Sequence, residues 1–238
     1  MKLKFRCLPE LHGHIPEPVE AKAVLPDWLK DVPSTVQSEL LGNEQVRTLK
    51  HCPPIIDGFS TGILFRLPCD VTMKDGELSW DWPKPVSPKA PQTRSPIGLH
   101  VPEQATGAPL GTRPGDFIIK LNNFWSIEAP QGVSLLFTHP LNREELPFRT
   151  LAGVVDCDRF KGGFVHFPAL WKDAKFEGTL KAGTPIAQAL PFKREALELD
   201  CAPMDDAEFE THLDTQNKLQ AEPGHYRKSV RAKRSVDA

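Results

Sequence analysis

The stretch that decides the fold is residues 152–163, which reads AGVVDCDRFKGG. Apolar residues lead into two carboxylates, Asp156 and Asp158, which flank one residue and therefore point to the same side of an extended strand. Gly162 and Gly163 allow a tight chain reversal directly afterwards. Two carboxylates on one face can bind a divalent ion, polarise a water molecule or accept hydrogen bonds from a ligand. Asp156 and Asp158 are therefore the candidate catalytic residues, while the alternative is a hairpin in which they only set the turn geometry.

Two further segments accompany this hairpin in the second half of the chain. One is APQG at residues 129–132, which leads into the apolar run at 135–137, and the other is LKAGTPIAQ at residues 180–188. In this order, the three segments resemble the core of the dUTPase and dCTP deaminase superfamily. The resemblance implies a mainly β protein with a β-clip, which is a distorted jelly-roll barrel.

The same resemblance implies a pyrimidine-nucleotide-binding pocket, and with it a nucleotide hydrolase or deaminase that uses Mg²⁺ carried by the phosphates. Asp156 matches the family's aspartate beside the sugar and pyrimidine. Phe160 stands where the family has a tyrosine that packs on the deoxyribose. Glu128 and Arg149 are the nearest candidates for deamination by chain position, or else exposed charges at strand ends. The candidate substrate-binding residues are Phe160, His139, Arg143, Gly153 and Gln188.

Two departures from the family pattern favour other functions. Residues 138–143, THPLNR, replace the Arg-Ser-Ser that grips phosphates in the family, and a helix with a basic tail replaces its glycine-rich C-terminal arm. One alternative is therefore a non-catalytic binding or accessory protein that engages a partner through its loops or tail. Another is metal-dependent chemistry at His139, His166 and Asp156, a set of two histidines and one carboxylate as in non-haem iron sites.

Composition supports a β-rich, water-soluble protein. Proline accounts for 24 of the 238 residues, roughly twice its average share, which argues against a mainly helical chain. The net charge of -2 gives little support for nucleic-acid binding. The sequence has no long apolar run and no signal-like start, and its five cysteines form no CxxC pair. We therefore expect a cytoplasmic protein with no membrane partner, and a homo-oligomer is possible because the resembling enzymes are usually trimers.

Turn and periodicity signals predict three segments. Residues 1–52 are expected to form a proline-rich N-terminal elaboration, residues 53–195 the β-clip core that the resemblance implies, and residues 196–238 a helix and a basic tail. A hairpin is expected over 62–82 with an Asp-Gly turn, and a long loop over 83–96. One helix is expected over 205–220, followed by the basic tail at 227–234. Further strands are expected at 117–121, 133–137, 148–155, 164–167 and 186–190.

Overall fold

The computed structural model describes residues 1–90, 95–110 and 118–232, and its folded elements are mostly β-strands. The α-helices are α1 (Asp27–Asp31), α2 (Pro53–Ser60) and α3 (Asp206–Ala221). The strands are β1 (Lys4–Arg6), β2 (Val19–Glu20), β3 (Thr35–Ser38), β4 (Glu44–Arg47), β5 (Ile63–Arg66), β6 (Val71–Lys74), β7 (Glu77–Trp80), β8 (Ile97–His100), β9 (Ile118–Leu121), β10 (Ser126–Glu128), β11 (Val133–Thr138), β12 (Phe148–Thr150), β13 (Gly153–Val155), β14 (Phe167–Trp171), β15 (Gly178–Leu180) and β16 (Pro185–Lys193). The prediction of a mainly β protein is confirmed.

Contacts within the chain divide it into two compact units. The first, called here the β unit, comprises residues 1–32 and 55–194, and the second, the C-terminal unit, comprises residues 33–54 and 195–238. These bounds differ from those of the three segments expected from the sequence, because residues 1–32 make their contacts with the β unit.

In its described residues, the β unit contains four antiparallel sheets. Their strand orders are β13-β11-β16-β5-β2, β12-β14-β9-β8, β15-β6-β7 and β1-β10. In the described part of the chain, none of these sheets closes on itself into a barrel. The core between them is rich in aromatic rings, with Phe65 and Phe137 lying 5.2 and 5.6 Å from Phe167, centre to centre. Such rings bury large apolar areas and fix how the sheets pack.

The register of the five-stranded sheet determines which side chains meet on its outer face. In β11, Leu135 and Phe137 point into the core, so that Ser134 points to the opposite face. Leu135 pairs with Val155 of β13, and one step further along the same register Ser134 comes opposite Asp156. Ser134 also pairs with Phe192 of β16. The strand pairing therefore brings residues from three separate segments to one place.

The predicted hairpin at 62–82 is confirmed in its β6–β7 part, where Lys74 pairs with Glu77. Asp75 and Gly76 both have positive φ angles, 52° and 79°, as the expected Asp-Gly turn requires. The predicted helix is confirmed as α3, which starts with a reciprocal capping box: Asp205 Oδ1 accepts the Glu208 N–H at 2.8 Å, and Glu208 Oε2 accepts the Asp205 N–H at 3.0 Å.

Two strand predictions were wrong in their bounds. The run 148–155 is not one strand, because the chain leaves the four-stranded sheet after Thr150 and enters the five-stranded sheet at Gly153. The run 164–167 starts too early, since β14 begins at Phe167 and continues through Pro168. Proline has no N–H to donate, and here its carbonyl accepts the Leu151 N–H at 2.8 Å. A proline can therefore lie inside a strand when its missing donor is not needed.

Some sequence-based expectations fall on residues that the structure does not describe. Phe117 of the predicted strand 117–121 lies outside the described residues, and β9 covers the remainder. Residues 91–94 of the proline-rich loop and residues 233–234 of the basic tail also lie outside them. Within the described ranges, no helix has both the length and the apolar character that crossing a membrane demands.

Candidate functional site

The two candidate catalytic carboxylates meet an arginine that directly follows β16. Arg194 Nη1 and Nη2 donate to Asp158 Oδ1 and Oδ2 at 2.9 and 2.5 Å, which is a bidentate ion pair. Nη1 also lies 2.8 Å from Ser134 Oγ and 3.3 Å from Asp156 Oδ1. We call this group of four side chains, Ser134, Asp156, Asp158 and Arg194, the arginine clamp. Paired, parallel hydrogen bonds to a carboxylate are among the strongest polar contacts in proteins.

Asp158 is the less exposed of the two carboxylates in the arginine clamp. Only 7% of its side chain is exposed, and Oδ2 also accepts the Gly132 N–H at 2.9 Å. The hydrogen bonds from Arg194, followed by the one from the Gly132 amide, hold the pKa of Asp158 well below its ordinary value. A carboxylate with both oxygens occupied and a depressed pKa is a weak proton acceptor. Asp158 therefore fastens the hairpin to the end of β16.

Asp156 is the accessible member of the arginine clamp. Its side chain is 49% exposed, and Oδ1 accepts the Ser134 hydroxyl at 2.6 Å. Its backbone carbonyl accepts the N–H groups of Arg159 and Phe160, both at 2.8 Å, which forms the turn after β13. Asp156 therefore serves the hairpin geometry through its backbone and the clamp through one carboxylate oxygen.

Phe160 and Gly153 lie near the arginine clamp in chain position, and neither is enclosed. Phe160 is 48% exposed, and its ring covers the backbone of Gly163, where an added β carbon would lie 2.3 Å from the ring. Gly163 is therefore required by this close approach. Gly153 is exposed, and a β carbon there would meet nothing within 4 Å. Of these two residues, Phe160 is the one whose side chain offers a surface to a ligand.

Gln188 is fully engaged by the backbone instead of facing a pocket. Oε1 accepts the Leu141 N–H at 2.8 Å, and Nε2 donates to the carbonyls of Gly58 and Thr61 at 3.0 and 2.6 Å. Its side chain is almost completely buried. Gln188 therefore connects β16 to the end of α2 and to the loop after β11, and it satisfies three backbone groups at once.

His139 and Arg143 are likewise held by neighbours within the protein. His139 Nδ1 accepts the Thr150 N–H at 3.3 Å, so the proton sits on Nε2, which donates to the Arg143 carbonyl at 3.0 Å. Burial lowers the pKa of His139, so the neutral form is favoured. The Arg143 side chain makes an ion pair with Glu145. Both nitrogens of the imidazole and Nε of Arg143 are therefore already engaged within the protein.

The proposed metal-binding set is not assembled. His166 Nδ1 accepts the Asn123 N–H at 3.2 Å, and burial lowers its pKa as well. Across the described residues, no three side chains of His, Cys, Asp or Glu come together in a way that could hold a metal ion. The grouping of His139, His166 and Asp156 was therefore wrong, because Thr150 and Asn123 hold the two imidazoles separately.

The deaminase candidates do not join the arginine clamp. Glu128 pairs with Lys4 across β10 and β1 at 3.2 Å, and Arg149 is exposed on β12. Sequence reasoning missed Arg194 and Ser134, which complete the clamp. Two signals in the sequence were available. The alternation of residues in β11 places Ser134 on the face opposite the core, and Arg194 comes shortly after the predicted strand at 186–190. Side chains of paired neighbouring strands can reach each other in this way.

Comparison with known proteins adds no relative to this description. No protein-family model matches the sequence, and no curated protein is significantly similar to it. The resemblance to dUTPases and dCTP deaminases therefore rests on the three sequence segments alone.

Proposed function

We propose that this chain is a divergent, non-catalytic binding protein on a dUTPase-like β-clip scaffold, in which the former pocket residues now hold the fold together. The observation that carries the proposal is the bidentate pair between Arg194 and Asp158, with Ser134 and Asp156 attached to the same guanidinium. An arginine in this position takes the hydrogen bonds that a substrate or a catalytic water would otherwise make to the two carboxylates.

The chemistry of nucleotide hydrolysis and deamination requires a group that accepts a proton in the transition state. Asp158 is unsuited to that role, because Arg194 lowers its pKa and Gly132 occupies its second oxygen. Asp156 keeps one oxygen outside the arginine clamp, but its other oxygen is shared between Ser134 and Arg194. A cation that already neutralises the carboxylates also weakens their attraction for the Mg²⁺ that accompanies a nucleotide.

The remaining candidate pocket residues support the same proposal. Gln188 and His139 direct their polar atoms to backbone groups, and Arg143 is paired with Glu145. Each of these contacts joins two groups of the protein itself, which is typical of residues that stabilise a fold. Phe160, with its half-exposed ring, is the member of the predicted set that remains available to a partner.

The direct test is turnover of dUTP and dCTP by the purified chain in the presence of Mg²⁺. We expect neither pyrophosphate release nor deamination above the rate measured without protein. Turnover that disappears in Asp156→Ala and persists in the control Glu77→Ala, an exposed carboxylate on β7, would contradict the proposal.

A second readout gives the proposal a positive outcome. We expect Asp158→Asn to lower the melting temperature, because the variant weakens a charged contact inside the arginine clamp. Catalytic carboxylates behave in the opposite way, since removing them commonly leaves stability unchanged or increases it. An Asp158→Asn variant as stable as the natural chain would therefore count against a structural role.

A further inference from the structure

The C-terminal unit contains a groove that the predicted site does not use. Its volume is about 730 Å³, which lies in the usual range for small-molecule sites. One wall comes from the end of β4 and the residues after it, and the other comes from the end of α3 and the turn that follows. The residues used below are Arg47, Cys52, Gly224, Tyr226, Arg227 and Lys228.

The groove concentrates positive charge. Arg47, Arg227 and Lys228 line it, and no Asp or Glu of the described ranges does. None of these three cations has an ion-pair partner in the part of the chain that the structure describes. His225, which also lines the groove, pairs with Glu222 at 2.8 Å. Cations collected in a concave surface raise the local concentration of anions.

Two of the cations converge on one glycine. Gly224 has a φ of +82°, and a β carbon built on it would lie 3.5 Å from Arg47 Nη1 and 4.0 Å from Lys228 Cε. Two cationic side chains that approach the same residue repel each other, and an anion bound between their charged ends reduces the repulsion. The small residue also leaves the backbone open to a ligand at the point that both side chains approach.

Apolar residues supply much of the rest of both walls. Pro53, Pro54, Leu219 and Pro223 contribute carbon surface, and Tyr226 adds an aromatic ring with a hydroxyl group. An inorganic ion would leave most of this surface uncovered. A ring or a chain attached to the anionic group would cover it, and the guanidinium of Arg47 suits the paired oxygens of a phosphate.

We propose that this groove binds an organic phosphate, with the phosphate held by Arg47, Arg227 and Lys228 and the organic part against the proline and tyrosine wall. The site goes beyond the proposed function, because it lies in the C-terminal unit and its argument uses no residue of the arginine clamp. It requires no chemical step, only recognition of charge and of an apolar body.

The first experiment is calorimetric titration of the full chain with ADP, pyrophosphate and adenosine as separate probes. We expect saturable binding of ADP, weaker binding of pyrophosphate and no detectable binding of adenosine. Raising NaCl from about 50 to 500 mM should weaken ADP binding, because salt screens the contacts to the phosphates. The proposal is overturned if adenosine binds as tightly as ADP, if ADP fails to saturate by about 5 mM, or if a single-stranded oligonucleotide binds more tightly than ADP.

Variants locate the binding. Arg47→Ala and the double variant Arg227→Ala/Lys228→Ala should each weaken ADP binding by about tenfold or more. Lys218→Ala is the matched control, since Lys218 is a cation of α3 that pairs with Asp214 and does not line the groove. Equal losses in the control would mean attraction to overall charge. Binding that survives the groove variants and is lost in Asp156→Ala would place the ligand in the β unit, and either result overturns the proposal.

A chemical footprint of the unmodified chain does not depend on any variant folding. Cys52 lines the groove and is half-buried, and Cys7, also half-buried, lies in the β unit. We expect ADP to slow alkylation of Cys52, measured by mass spectrometry, and to leave the rate at Cys7 unchanged. Equal rates at Cys52 with and without saturating ADP would contradict binding in the groove.

Discussion

Positive charge is used in opposite ways in the two units of the chain. In the β unit, Arg194 is held by Asp158, Asp156 and Ser134. In the C-terminal unit, Arg47 and Arg227 line a groove and have no anionic partner in the described ranges. A side chain whose hydrogen bonds are satisfied internally stabilises the fold, and one without a partner is available to a ligand. The presence or absence of an internal partner therefore distinguishes polar residues that stabilise the fold from those that are candidates for binding, and this criterion needs no related protein.

The largest effect is expected where one buried polar side chain satisfies three backbone groups at once. Gln188→Met keeps the approximate size of the side chain but leaves the Leu141 N–H and the carbonyls of Gly58 and Thr61 without their partner. Unsatisfied buried groups of this kind cost about 1–3 kcal/mol each, so we expect a loss of about 3 kcal/mol in the free energy of unfolding. Urea denaturation measures it.

The control for this prediction is Gln37→Met, because Gln37 is an exposed glutamine of β3. It should change the free energy of unfolding by less than about 0.5 kcal/mol. If both variants lose the same amount, the hydrogen bonds of Gln188 do not contribute to stability and the comparison between the two units fails.

The next effect concerns the arginine clamp itself. Arg194→Gln leaves the carboxylate of Asp158, with its 7% exposure, without a cation. We expect the melting temperature to fall by roughly 5 °C, because the negative charge keeps little contact with solvent. Differential scanning calorimetry measures the shift. Arg159→Gln, an exposed arginine of the same hairpin, should leave the melting temperature close to that of the natural chain, and an equal fall in both variants would contradict a specific role of Arg194.

Some of this arrangement could be predicted from the sequence. Local signals were sufficient for the turn at Asp75 and Gly76 and for the helix that starts after Asp205, because both depend on residues within a few positions of each other. The arginine clamp could not be predicted in this way. Arg194 lies 36 residues from Asp158, and their meeting depends on the register of β16 against β11 and of β11 against β13.

Polar residues near strand ends were the second difficulty. Gln188 and His139 were interpreted as substrate-binding residues because of the family resemblance. His139 and His166 were also interpreted as metal-binding residues because they fall on predicted neighbouring strands. Each of them instead bonds to backbone groups at strand ends and turns, as most buried polar side chains do. The identity of these residues was visible in the sequence, but the backbone groups they satisfy were set by tertiary structure.

A pH titration sharpens the description of the arginine clamp. The pKa of Asp158 is lowered in the folded chain by Arg194 and Gly132. Its contribution to stability is therefore fully present above its unfolded pKa of about 4 and is lost as the pH falls toward the folded value. We expect the difference in melting temperature between the natural chain and Asp158→Asn to be constant from about pH 7 to 5 and to narrow below about pH 4. A difference that stays the same down to about pH 3 would contradict this assignment.

Substitutions of the groove cations are expected to have the smallest effect on stability, and a change close to zero would support the distinction between paired and unpaired cations. Arg47→Ala and Arg227→Ala remove cations that have no ion-pair partner in the described ranges, so without ligand each should change the melting temperature by less than about 1 °C. The increase in melting temperature produced by ADP should nevertheless disappear in both variants, since binding stabilises only a chain that retains the site. If either variant melts as early as Arg194→Gln, its charge is structural, and the distinction between paired and unpaired cations does not hold for this protein.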